Sequence, residues 1–170
     1  MNKYINITIL LLIGAYTGFN IFFSFIVAPL LFSHFNHRLA GEITNLIFPY
    51  YFASGWIIGV IVYTLIAIKS IKEKTIVKDL KGFLIGLVFL IIFSMALHKT
   101  ILKIGQETNA HYYQLLDEGK KLEAQKIKSQ FKTVHTVSTI INFSNLLIAI
   151  YLFVYFYLNT QKTRKKEKII

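Results

Sequence analysis

The sequence predicts an all-α integral membrane protein: a four-helix bundle of a single domain over residues 1–170, with its third and fourth helices extended into a helical hairpin. Three observations carry the prediction, namely an excess of apolar residues, four runs long enough to cross a bilayer, and a lopsided distribution of charge. Of 170 residues, 55% are hydrophobic, with 15 Phe, 10 Tyr and a mean hydropathy of +0.55, well above an ordinary soluble domain. A hydrocarbon core of about 30 Å needs roughly 20 apolar residues in helical form. Runs near 5–32, 47–68, 82–102 and 131–158 meet that length.

The first run follows Lys3 in the manner of a secretory signal. It exceeds the usual ~7–15 apolar residues, and no small-x-small cleavage pattern follows, so it is expected to be a permanent span. Pro29 and Pro49 are the only prolines and fall near the outer ends of the first two spans, where a proline redirects a helix at little cost. After the third run the chain does not become a featureless loop. Ile104, Tyr112, Leu115, Leu116, Leu122, Ile127 and Phe131 recur at roughly helical spacing among charges, with "DEGKK" at 117–121 as the turn. The third helix therefore runs on for about 20 Å beyond the membrane before the fourth returns.

The formal net charge is +11. Four spans put the N-terminus, the 69–81 connection and the C-terminal tail on one side, with eleven basic residues against Glu73, Asp79 and Glu167. The other side has eight basic against five acidic, so the positive-inside rule puts both termini in the cytoplasm of a plasma (bacterial inner) membrane. The tail "KTRKKEK" is chiefly an orientation signal, with contact to anionic lipid headgroups as a further expectation. No folded basic module interleaved with aromatics is present, so nucleic acid is not an expected partner.

With no Cys there are no disulfides, thiolate metal sites or Cys nucleophiles, and two Met do not make a thioether copper site. The fourth run opens with "KTVHTVSTIINFSNL", in which His135, Ser138, Asn142 and Asn145 step by three, four and three residues and share one helical face. Thr17, Asn20 and Ser24 make a similar stripe on the first helix. Polar groups in hydrocarbon cost ~2.5–3.5 kcal/mol when charged, so the two stripes are expected to face one another. The candidate cluster is His135, Ser138 and Asn142, joined by His98, Asn20, Ser24 and Tyr50 from "IFPYYF". Gly14 with Gly18 and Gly55 with Gly59 suit close helix packing, within the chain or in a homo-oligomer.

"FIVAPLLF" at 25–32, "AG" at 40–41, "IFPYYF" at 47–52 and the pattern F-x3-H-x2-S-x3-N from Phe131 through His135 and Ser138 to Asn142 resemble the transmembrane protein 205-like family. Bacterial members of that family are small four-helix membrane proteins filed under a domain of unknown function. The departure is "ALHKTILKIGQETNA", where such proteins often have a proline. The resemblance implies membrane location and a four-helix fold, and brings no established reaction. It also carries a remote similarity to membrane folds linked with copper uptake and porphyrin oxidation.

Three roles for the cluster follow. It is an interhelical hydrogen-bond network, a site for a small molecule, lipid or ion, or a haem b or transition-metal centre using His98 and His135. No Gly lies within four residues of either histidine to admit a macrocycle. His34, His37 and His111 match no metal-binding spacing. Ser138 beside His135 lacks an orienting carboxylate, so hydrolysis is not expected, and the chain is not assigned as an enzyme. The spans carry no Asp or Glu as a proton relay.

Overall fold

In the computed structural model, residues 2–167 are described; the side chains from 163 onward, and with them the lipid contact expected of the basic tail, lie outside the described part. The elements are α1 (Asn2–Phe22), a π turn (Phe23–Val27), α2 (Ala28–His34), α3 (His37–Lys72), the short α4 (Ile76–Asp79), α5 (Lys81–Ala96), a second π turn (Leu97–Ile101), α6 (Leu102–Asp117) and α7 (Lys121–Glu167). Joined through the π turns, they make four helices long and apolar enough to cross a membrane: Lys3–His34, His37–Lys72, Lys81–Asp117 and Lys121–Lys162. No strand occurs among the described residues.

Local chemistry explains the breaks. Asn36 ends the first helix pair and starts α3, its Oδ1 accepting from the Leu39 N–H at 2.9 Å as an N-cap. The turn at 117–121 is a Schellman motif: the Gly119 N–H bonds the Leu116 carbonyl, and the Lys120 N–H reaches back to that of Leu115. Gly119 has φ +76°, a conformation that costs glycine nothing. Pro29 follows the first π turn, where the Ala28 N–H bonds the Phe23 carbonyl and widens the ladder just before the residue that has no N–H.

The bundle is apolar outside as well as in. At most 33% of each membrane-length window is buried within it, and Leu11, Phe25, Ile92, Phe143 and Leu158 are all more than half exposed. Water does not tolerate a contiguous apolar girdle of that extent, whereas lipid does. Two apolar clusters fill the interior. One, including Ile9, Ile13, Val62, Phe83, Leu87 and Phe156, lies toward the end where Lys69 Nζ bonds Asn6 Oδ1 and Tyr155 Oη bonds the Asp79 carbonyl. The other, around Phe23, Tyr51, Phe52, Leu97 and Leu102, lies toward the α6–α7 hairpin.

The Gly55 and Gly59 pair packs within the chain, onto Ser94 and Ile91 of α5. A Cβ on Gly55 would stand 2.2 Å from Ser94 Oγ and 2.8 Å from Tyr16 Oη. Gly18 has open space where a side chain would go. Gly55→Ala is therefore expected to lower the unfolding free energy in detergent by about 1–3 kcal/mol, and Gly18→Ala to leave it near the wild-type value. Equal losses at the two positions would contradict the close approach of α3 and α5.

Candidate functional site

The polar side chains of the four long helices meet in a single network at the junction of the two apolar clusters. Asn142 of α7 donates through Nδ2 to Tyr51 Oη at 3.1 Å and to Ser24 Oγ at 3.3 Å. The Tyr51 hydroxyl donates to Asn20 Oδ1 at 2.7 Å, and Asn20 Nδ2 reaches Tyr16 Oη at 3.4 Å. Asn145 Nδ2 donates to the same Tyr16 oxygen at 3.1 Å and to Ser94 Oγ of α5 at 2.7 Å. Every member is neutral near pH 7 by its chemistry, so the network orders helices without carrying charge. Its one loose end is Asn145 Oδ1, buried without a partner among the described residues.

The expected residues divide. Asn20, Ser24 and Asn142 are brought together. Tyr50 is 79% exposed, and its neighbour Tyr51, 2% exposed, takes the inward position. One residue is about 100° of helical rotation, which separates the two faces. Thr17 bonds the carbonyl of Ile13 in its own helix. Ser138 is half-buried and His135 exposed, with the His135 ring stacked on Phe131 one turn earlier. The sequence points to the 48–52 segment but to Tyr50 rather than Tyr51 within it, and gives no place to Tyr16 or Ser94. Tyr51 shares a face with Gly55 and Gly59 at four-residue steps, and Ser94 continues the inward line of Phe83, Leu87 and Leu90; those spacings were the available signal.

His98 sits on the second π turn, half-buried beside Trp56. The Trp56 indole N–H donates to His98 Nδ1 at 3.2 Å, with the two ring planes 27° apart. A neutral imidazole that accepts at Nδ1 holds its proton on Nε2, leaving that nitrogen no lone pair for a metal. As arranged, His98 therefore does not fit an axial haem ligand or a metal ligand, and binding through Nε2 requires the other tautomer and the loss of the Trp56 bond. Among the described residues no group of three or more His, Cys, Asp or Glu converges.

A second polar site opens at the base of the hairpin. A cleft of about 500 Å³ lies between the start of α3 and α6, lined by Arg38, Glu42, Asn45, Gln106, Asn109 and Tyr113 among others. Arg38 spans it: its two terminal nitrogens bond both Asp117 oxygens at 3.1 Å, its Nε stands 3.5 Å from Glu42, and its guanidinium lies 5.1 Å from the centre of the Tyr113 ring. Such a bidentate fork fixes orientation as well as distance. At the tip, the Lys120 ammonium and the Gln114 amide hold Glu118 below the usual carboxylate range.

The floor of the cleft follows from Pro49. Within α3 this proline has no N–H for the carbonyl four residues back, that of Asn45. Gln106 Nε2 donates to that carbonyl across the helix interface at 3.2 Å, so a side chain of α6 replaces the missing backbone bond. The carboxamides of Asn45 and Asn109 have no hydrogen-bond partner of their own among the described residues.

These features define a multi-pass helical membrane protein with a neutral interior network and a polar cleft at its hairpin. Residues 11–110 match the family described as Domain of unknown function (DUF4149), and the chain belongs to that family. No curated protein and no solved structure matches it.

Gln106→Leu is expected to cost about 1–3 kcal/mol, because it leaves the Asn45 carbonyl unpaired. In a Pro49→Ala background the backbone bond returns and the same substitution is expected to cost little. A double-mutant cycle in detergent that gives equal losses in both backgrounds rules the compensation out.

Proposed function

We propose that the protein is a binding protein whose ligand is held in the hairpin cleft, while the interior network acts as the rigid frame that sets the cleft. The observation that carries this is the contrast between the two polar sites. Inside the bundle nearly every hydrogen-bonding group is already paired within the chain. In the cleft the Arg38 guanidinium is shared between Asp117 and Glu42, and the carboxamides of Asn45 and Asn109 have no partner among the described residues. Carboxamides in a cleft whose cation is already shared between two carboxylates suit a small uncharged molecule rich in hydroxyl or amide groups and disfavour an anion, because a carboxamide can donate and accept at once. Within this reading Asn142, with Asn20 and Ser24 of the first helix, belongs to the frame, and His135 and Ser138 lie outside it.

The finer setting is part of the same reading. The lysine-rich 69–81 connection and tail favour a cytoplasmic position for both termini and an outward-facing hairpin in a bacterial inner membrane. The motifs from "FIVAPLLF" to Asn142 support kinship with the transmembrane protein 205-like proteins. Binding by a haem or metal at His98 and His135 is the competing class, and the Trp56 bond to His98 argues against it.

The ligand test uses full-length protein in detergent and calorimetry against neutral saccharides and N-acetylated dipeptide amides. At least one is expected to bind, with Asn109→Leu weakening it tenfold or more at unchanged stability and Asn142→Leu lowering stability first. A panel with no binder, affinity unmoved by Asn109→Leu, or a Soret band lost in His98→Ala overturns the proposal.

Orientation has its own check. The chain has no Cys, so single cysteines placed at 75 and 118 report without background; labelling of intact cells is expected at 118 and not at 75. The opposite pattern inverts the topology.

A further inference from the structure

At the end of the bundle away from the cleft, a second concavity of about 360 Å³ lies on the bundle surface between α3, α4 and α5, lined by Tyr63, Val77, Lys81, Leu84, Ile85, Val88 and Phe89. Five of these side chains are aliphatic or phenyl, Tyr63 adds a ring with one hydroxyl, and Lys81, the one charged residue, stands at one end. From Lys81 to Phe89 the groove follows α5 for about 12 Å. Ile85, Val88 and Phe89 are each about half exposed, so the groove faces whatever surrounds the bundle. Behind it, Phe83, Leu87 and Val62 belong to the packed interior, which makes the floor rigid.

Charge chooses the occupant. Lys81 opens α5, whose first turn has no side-chain cap and contains no acidic residue, so the partial positive charge of the helix end adds to that of the ammonium. The adjoining connection contributes Lys72, Lys74 and Lys78 against Glu73 and Asp79. We propose that this groove binds one anionic phospholipid, its acyl chain lying along Leu84, Ile85, Val88 and Phe89 and its phosphate at Lys81. A second copy of the chain is the poorer occupant. Two copies inserted with the same orientation in one membrane bring identical lysine-rich connections together, and like charges repel. A lipid with a phosphate-centred negative head instead meets the ammonium at the depth where its tail enters the apolar groove.

Native mass spectrometry of the full-length protein in mild detergent, titrated with phosphatidylglycerol or with phosphatidylcholine of the same acyl chains, tests this. Phosphatidylglycerol is expected to bind the more tightly. Lys81→Gln, an exposed change, is expected to weaken it about fivefold and to leave phosphatidylcholine unchanged; Val88→Trp, which fills the groove, is expected to weaken both. Ile92→Trp, one helical turn further along α5 and more than half exposed, controls for added bulk and is expected to change neither. The proposal falls if the two lipids bind alike, if Lys81→Gln retains the preference, if Ile92→Trp matches Val88→Trp, or if Val88→Trp dissociates a dimer instead of releasing lipid.

Discussion

A hydrogen-bonding atom inside hydrocarbon has no water to turn to, and the arrangement of this bundle depends on that constraint at every level. It makes the spans helical, because a helix satisfies its backbone within one segment. It draws Asn20, Tyr51, Asn142 and Asn145 inward, where each finds a partner on another helix. It also decides how a proline is tolerated. The carbonyl that Pro49 strands on Asn45 is taken up by Gln106 from a neighbouring helix, so a local defect in α3 becomes a contact that ties α3 to α6.

Close packing and polar pairing support each other. Gly55 has no side chain, so α3 lies against Ser94 and Tyr16 without displacing the two hydroxyls that receive the Asn145 amide. Individual interhelical hydrogen bonds in membranes contribute little, about 0.6 kcal/mol on average. Their value here is directional. Seven neutral side chains from four helices have few arrangements that pair them all, and apolar packing alone would accept many rotations of each helix.

At the hairpin the constraint relaxes, and the chemistry changes with it. The Arg38 fork to Asp117 joins residues far apart in the chain, and surface ion pairs of this exposure contribute modestly to stability. What the fork does is hold the α6 end of the hairpin over the start of α3, leaving a walled cleft lined by the Asn45 and Asn109 amides. The fold thus separates a sealed polar interior from an open polar end.

The all-α class, the four long apolar helices, the hairpin and its turn at Gly119 were legible in the sequence, because each rests on local rules: apolar length, helical period and glycine at a left-handed position. The stripe on the fourth helix was legible as a face but not as a depth; Asn142 and Asn145 are drawn into the network, while His135 lies exposed beside Phe131. Period alone could not decide between Tyr50 and Tyr51, which differ by one step of helical rotation. Only tertiary structure decided that, together with the Gln106 bond to Asn45, the Arg38 bond to Asp117 and the Trp56 bond to His98. The reason is physical: periodicity states which residues share a side of one helix, and the rotation of that helix against its neighbours is set by packing at contacts such as Gly55 on Ser94, between residues the chain keeps far apart.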